Sequence, residues 1–95
     1  MCVFSPQYIY SDDQIDEIND RLAKCVSKVP AKGDFDRPSD TCRYEGIYAL
    51  SEGAVKEALT AVVVSCLNKH SVKSSVVSTV QQCLAASLAK DLVAA

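Results

Sequence analysis

An apolar seam between Ile15 and Val29 constrains the fold of this chain more than any other feature. Ile15, Ile18, Leu22, Cys25 and Val29 follow one another at alternating intervals of three and four residues. This spacing places all five side chains on one face of an α-helix. The two heptads are too few for a free coiled coil, so we expect this helix to pack within its own bundle.

Signals at both ends define this first helix. Ser11 is a candidate N-cap, and Gln14 completes a capping box three residues later. Aspartates and a glutamate fill the first turns and lysines the last, as the helix dipole favours. Pro30 cannot continue the helix, so the sequence predicts a helix over 11–29.

The second half of the chain carries two more helical patterns separated by a short polar segment. Ser51 is a candidate N-cap for a helix over 51–69, and apolar residues recur with helical spacing from Val76 to Leu92. Because the connection is so short, we expect an antiparallel helical hairpin over 51–93, with helices at 51–69 and 73–93.

Two segments lack a sustained helical period. Residues 1–10 surround Pro6 with aromatic and aliphatic side chains, which predicts an extended arm lying on the helices. Residues 31–50 mix Gly, Pro, Asp and Ser with aromatic residues, which predicts a long ordered loop. The expected fold is therefore a single all-α domain over 1–95, a three-helix bundle with an extended N-terminal arm.

Charge and hydropathy narrow the class of protein. The chain of 95 residues has a net charge of −2 and no run of lysine or arginine, so general nucleic-acid binding is not expected. Its longest apolar stretch, around 58–67, is far below the ~20 residues that span a bilayer, and residues 1–10 do not resemble a secretory signal. These features predict a cytoplasmic protein without a membrane segment.

Five cysteines are present, with no CxxC pair, and His70 is the sole histidine. Structural zinc sites usually take ligands that are paired closely in sequence, so we expect neither a metal nor another cofactor. Cys25, Cys66 and Cys83 fall on apolar helix faces and are expected in the core. Cys2 and Cys42 lie in irregular segments, where they could be reactive or could form a disulfide. A reducing cytosol opposes a permanent disulfide, which favours two free thiols.

No sequence motif predicts an enzyme. GxSxG, GxxxxGK[ST], GxGxxG and HExxH are all missing from the sequence. Cys66 and His70 stand four residues apart and could form a dyad on one helix, but a buried thiol is inert. We therefore expect no catalytic residues.

Two surfaces are candidates for binding a partner. The first is in the 31–50 segment, where Arg37, Arg43, Tyr44 and Tyr48 combine the residue types that dominate interaction hot spots. The alternative is that Phe35, Ile47 and Tyr48 only plug the open end of the bundle. Arg43 and Tyr44 are the pair expected to be exposed. The second surface consists of Val64 and Ala61 together with the uncharged stretch between Lys73 and Lys90, which predicts a homo-oligomer, most simply a dimer.

The leading hypothesis is a small non-enzymatic interaction module, an inhibitor or regulatory subunit that binds a surface of another protein. Small chains without catalytic motifs often have such roles, including those that phages and other mobile elements encode. The alternative is an oligomer that sequesters a small ligand or nucleotide, with tyrosines and arginines holding an anionic ring compound.

Overall fold

The structure, a computed structural model, describes residues 10–30 and 37–89. Four α-helices occupy these ranges: α1 (Asp12–Val26), α2 (Pro38–Ser51), α3 (Leu59–Lys69) and α4 (Ser74–Leu88). A single 3₁₀ turn, Lys56–Ala58, precedes α3, and no strand occurs within the described ranges. The prediction of an all-helical fold is confirmed, but the structure has one more helix than expected.

The four helices surround one hydrophobic core. α1 packs against α2 and α4, and α3 packs against the same two helices, so the contacts form a closed ring. Burying a Leu, Ile or Val side chain stabilises a fold by ~1.5–3 kcal/mol, which makes this core the main source of stability. Its fully buried aliphatic side chains are Ile18, Leu22, Leu50, Leu59, Val63, Leu67, Val80, Leu84 and Leu88.

Most of the seam predicted for the first helix is buried, although Ile15 is only partly buried and Val29 lies beyond the end of α1. Ile18, Leu22 and Cys25 are fully buried and Val29 is nearly so. The capping box is formed: the Gln14 amide donates to Ser11 Oγ over 3.2 Å, and the Ser11 amide donates to Gln14 Oε1 over 2.9 Å. The helix ends at Val26, three residues earlier than predicted.

The segment predicted as a long loop, 31–50, instead contains α2. Pro38 occupies the start of this helix, where its missing N–H costs nothing. The buried positions of α2 are Pro38, Cys42, Gly46 and Leu50, exactly one every fourth residue. Only Leu50 is a large aliphatic residue, so the sequence shows no apolar stripe although the helix has a buried face.

Gly46 allows α2 to approach its neighbours closely. A Cβ atom at this position would lie 3.2 Å from Leu22 Cδ1 on α1 and 3.4 Å from Val63 Cγ2 on α3. The absence of a side chain therefore helps α2 to sit against both helices.

The predicted single helix over 51–69 is wrong. Ser51 is the last residue of α2, not an N-cap, and its hydroxyl donates to the Tyr48 carbonyl over 2.7 Å. Gly53 follows with φ of 98°, a left-handed conformation that commonly ends helices and favours glycine. The chain then passes through the 3₁₀ turn before α3 begins at Leu59.

A tight turn joins α3 to α4. Ser71 adopts φ of 59°, and the amide of Val72 donates to the carbonyl of Leu67 over 3.1 Å. Only four residues separate the two helices, and the helices pack against each other. The helix predicted over 73–93 is observed at Ser74–Leu88, and residues 90–95 lie outside the described ranges.

Two disulfides are present in the structure, and one of them corrects the interpretation of Cys42 as a free thiol. Cys25 on α1 is bonded to Cys83 on α4, and Cys42 on α2 is bonded to Cys66 on α3. The fold brings the Cα atoms of these pairs to 5.6 Å and 5.5 Å, within the range that a disulfide requires. Their sequence spacing carries no sign of this, since the partners lie 58 and 24 residues apart.

The predicted N-terminal arm, 1–10, lies outside the described residues except for Tyr10. The hydroxyl of Tyr10 accepts a hydrogen bond of 3.2 Å from the amide of Lys56. This contact connects the start of α1 to the 3₁₀ turn that precedes α3. Cys2 also lies outside the described residues.

Candidate functional site

The outer side of α2 presents two tyrosines to solvent. Tyr44 is 64% exposed and Tyr48 is 67% exposed, and they are the large hydrophobic side chains that the described part of the chain leaves exposed. Their separation of four residues places them one above the other on the helix. Together with Thr41 and Glu45 they line a shallow depression, and we call these four residues the tyrosine face.

The tyrosine face exists because of what α2 buries. Cys42, Gly46 and Leu50 turn toward α1 and α3, so the residues two positions away from each of them turn toward solvent. The alternative that Tyr48 plugs the end of the bundle is wrong, because its side chain is mainly exposed. Ile47 packs against the core, and Phe35 lies outside the described residues.

Arg43 is less available for binding a partner than its residue type predicts, because neighbouring side chains cover most of it. Its Nη1 donates a 2.7 Å hydrogen bond to Asn19 Oδ1 on α1, and its Nη2 lies 4.0 Å from Asp40 Oδ1. The Arg43 side chain is only 20% exposed. Its guanidinium carbon lies 4.7 Å from the centre of the Tyr44 ring, a cation–π contact that restricts this tyrosine.

Glu52 sets the ionisation of Tyr48. A hydrogen bond between their side chains, reinforced by the negative charge of Glu52 and by slight desolvation, raises the pKa of Tyr48 above its usual value of 10.0. Tyr48 therefore keeps its hydroxyl proton to a higher pH than an ordinary tyrosine does.

The remaining predicted site residues lie in two places. Arg37 is exposed at the N-cap position that precedes α2, the helix that carries Arg43, Tyr44 and Tyr48. Val64 is part of a different surface, an open groove between α3 and α4. The other residues that line this groove are Glu57, Thr60, Ala61, Ser65, Asn68, Lys69 and Gln81.

A second group of chemically competent residues lies where α2 meets α3. Sγ of Cys42, Sγ of Cys66 and a ring nitrogen of His70 all lie within 4.8 Å of one another. The i,i+4 spacing of Cys66 and His70 is visible in the sequence. Cys42 could not be added to that pair, because its helix was not predicted.

No family model matches the chain, and comparisons with curated proteins and with solved structures also give no match. Among the described residues, no helix is both long and apolar enough to cross a bilayer. The functional argument therefore depends on the geometry of the chain itself.

Proposed function

We propose that this chain is a non-enzymatic interaction module, an inhibitor or regulatory subunit that binds another protein through the tyrosine face. The observation that carries the proposal is the pair Tyr44 and Tyr48, each about two-thirds exposed and one helical turn apart. Tyrosine is among the residues that dominate hot spots, because it contributes a large contact area at a low entropic cost.

The support beneath the tyrosine face favours binding without rearrangement. The disulfide between Cys42 and Cys66 anchors α2 to α3, and Arg43 connects α2 to α1 while contacting the Tyr44 ring. A surface already held in its binding conformation loses less entropy on association.

Charge indicates the chemistry of the partner. Exposed acids Asp40, Glu45 and Glu52 surround the two tyrosines, whereas Arg43 is largely covered by its contacts with Asn19 and Asp40. Carboxylates beside aromatic rings suit lysine or arginine side chains, which bind through ion pairs and cation–π contacts. We therefore expect the partner to present a basic surface, and the same acids disfavour the alternative of an anionic ring compound.

The disulfides also change the expected compartment. The cytoplasmic location is predicted from residues 1–10, which do not resemble a secretory signal, whereas the structure pairs four of the five cysteines in disulfides. Disulfides form and persist in oxidising compartments. We propose that the module folds in such a compartment.

The test compares partner capture by the natural chain and by Tyr44→Ala/Tyr48→Ala. The double variant should lose the captured protein, with a loss of ~2 kcal/mol or more in binding, while its thermal stability stays nearly unchanged. Lys24→Ala/Lys28→Ala is the matched control, because it also removes two exposed side chains that are four residues apart. Lys24 lies on α1, and Lys28 lies just after the end of that helix.

Equal capture by the tyrosine variant and the natural chain would overturn the assignment of this face. A rise in thermal stability with an added nucleotide that disappears in the tyrosine variant would instead favour the sequestering oligomer.

A further inference from the structure

The cluster of Cys42, Cys66 and His70 has the donor set of a metal site. Cys66 and His70 lie at the C-terminal end of α3, and Cys42 comes from the facing turn of α2. Within the described residues, it is the only group of three potential metal ligands whose donor atoms lie within 4.8 Å of one another. Two thiolates and an imidazole are the ligands that Zn²⁺ prefers.

The second disulfide provides an internal comparison. Cys25 Sγ has Ser87 Oγ at 3.7 Å, and a serine hydroxyl is not a usual zinc ligand. A histidine therefore lies beside the Cys42–Cys66 disulfide, whereas a serine lies beside Cys25.

The disulfide must open before the sulfurs can bind a cation. A dithiol reductant supplies two electrons and two protons, its own sulfurs become a disulfide, and Cys42 and Cys66 become thiols. Zn²⁺ then displaces the two thiol protons into solvent and binds the two thiolates and a neutral His70 nitrogen.

The required movement is small. Donor atoms that share a tetrahedral Zn²⁺ at ~2.0–2.3 Å lie ~3.3–3.8 Å apart. The donor atoms here lie within 4.8 Å, and the Cα atoms of the two cysteines are 5.5 Å apart. Side-chain rotation can therefore provide the geometry while the helix backbones stay in place.

We propose that Cys42, Cys66 and His70 form a redox-gated zinc site, closed by the disulfide and opened by dithiol reduction. The site has three protein ligands, and its fourth position is left for water or an external ligand. Cys42 and Cys66 are buried, whereas His70 is partly exposed and gives the ion a route from solvent. In the reduced protein the ion replaces the disulfide as the link between α2 and α3.

The test uses Co²⁺ as a spectroscopic probe on the full chain reduced with a phosphine. The reduced protein should bind one Co²⁺ with a thiolate-to-metal charge-transfer band and the visible bands of a tetrahedral ion, and Zn²⁺ should displace it. The oxidised protein should show neither band. Circular dichroism before and after addition of the metal measures whether the reduced protein keeps its helical content.

Three variants distinguish Co²⁺ binding at this site from Co²⁺ binding elsewhere on the chain. Cys42→Ala/Cys66→Ala should abolish the bands, and His70→Ala should weaken Co²⁺ affinity by about tenfold or more. Cys25→Ala/Cys83→Ala is the matched control and should keep both the bands and the affinity. His70→Ala retains all four cysteines, so its loss of affinity reports on the ligand even if reduction loosens the fold.

The proposal is overturned if the reduced natural chain gives no charge-transfer band. It is also overturned if His70→Ala binds Co²⁺ as tightly as the natural chain, or if the Cys25/Cys83 variant loses binding. Because none of these measurements involves the tyrosine face, their failure would leave the proposed partner-binding function intact.

Discussion

Arg43 on α2 donates a 2.7 Å hydrogen bond from Nη1 to Oδ1 of Asn19 on α1. This bond connects two consecutive helices through residues that lie 24 positions apart, and it holds the guanidinium over the ring of Tyr44. Arg43 therefore supports the tyrosine face more than it contributes to its exposed surface.

Breaking this contact should destabilise the fold modestly. We expect Arg43→Ala and Asn19→Ala each to lower the free energy of unfolding, with a coupling energy of about 1 kcal/mol between them, because the bond is charge-assisted and partly buried. Urea denaturation of both single variants and the double variant measures this coupling. Strictly additive effects would show that the two side chains do not interact in solution.

The ionisation of Tyr48 should depend on Glu52. The raised pKa means that Tyr48 stays protonated beyond pH 10.0, and Glu52→Gln should bring its pKa down toward that value. Tyrosine Cζ chemical shifts followed through alkaline pH resolve Tyr48 from the other three tyrosines. Glu45→Gln is the control and should leave the titration of Tyr48 unchanged.

The same shift has a consequence for stability. The native state holds the Tyr48 proton more tightly than the unfolded chain, so stability falls as pH rises above the unfolded pKa of about 10. The contribution of this contact is fully present below that pH and is lost as pH rises through the higher folded value. In unfolding experiments, the stability advantage of the natural chain over Glu52→Gln should therefore shrink as pH rises above about 10.

The Cys25–Cys83 disulfide should stabilise the protein more than Cys42–Cys66. It closes the longer loop, with a sequence separation of 58 against 24. Loop-closure entropy predicts a contribution of ~4 kcal/mol for the longer loop and ~3.5 kcal/mol for the shorter. Denaturant unfolding of Cys25→Ala/Cys83→Ala and Cys42→Ala/Cys66→Ala measures the stability that each disulfide contributes. A larger loss of unfolding free energy for the Cys42/Cys66 variant would contradict this prediction.

Ser71→Gly should increase stability. Ser71 adopts φ of 59°, where a Cβ atom is disfavoured by ~1–2 kcal/mol, although glycine also gains freedom in the unfolded chain. We expect a net gain of ~0.5–1 kcal/mol in the free energy of unfolding. Ser71→Ala keeps the Cβ atom and serves as the control, and an equal gain in that variant would rule out backbone strain as the cause.

The uncharged outer side of α4 should form the interface of a homodimer. Ser78, Gln82, Ala85, Ala86 and Ala89 are all exposed on this helix. Light scattering at micromolar concentration should give twice the mass of the 10.2 kDa chain, and Ala86→Glu should reduce it to the monomer without unfolding the protein. A natural chain that is already monomeric would contradict this prediction.

The first helix was predictable because its information is local. The interval pattern from Ile15 to Val29 and the capping box at Ser11 involve residues within one or two turns of each other. Likewise, the aliphatic positions Val77, Val80, Leu84 and Leu88 reveal the buried face of α4 directly. In both helices the burial seen in the structure agrees with the periodicity.

α2 could not be predicted from apolar periodicity, because most of its buried residues are not large apolar side chains. Its buried face consists mainly of Pro38, Cys42 and Gly46, and its largest aromatic side chains point to solvent. A search for apolar residues with helical spacing therefore finds no stripe. The tyrosines were identified as binding candidates by residue type, but their common helix face depended on finding the helix.

The amino-acid sequence by itself determined that the chain is helical, where α1 begins and which aliphatic residues form most of the core, because propensity, capping and periodicity act over a few residues. Only the tertiary structure decided which cysteines are bonded, which tyrosines are exposed and that His70 lies beside the Cys42–Cys66 disulfide. These relationships join residues on different helices. Their physical basis is the packing of those helices around a shared core, which the spacing of residues along the chain does not record.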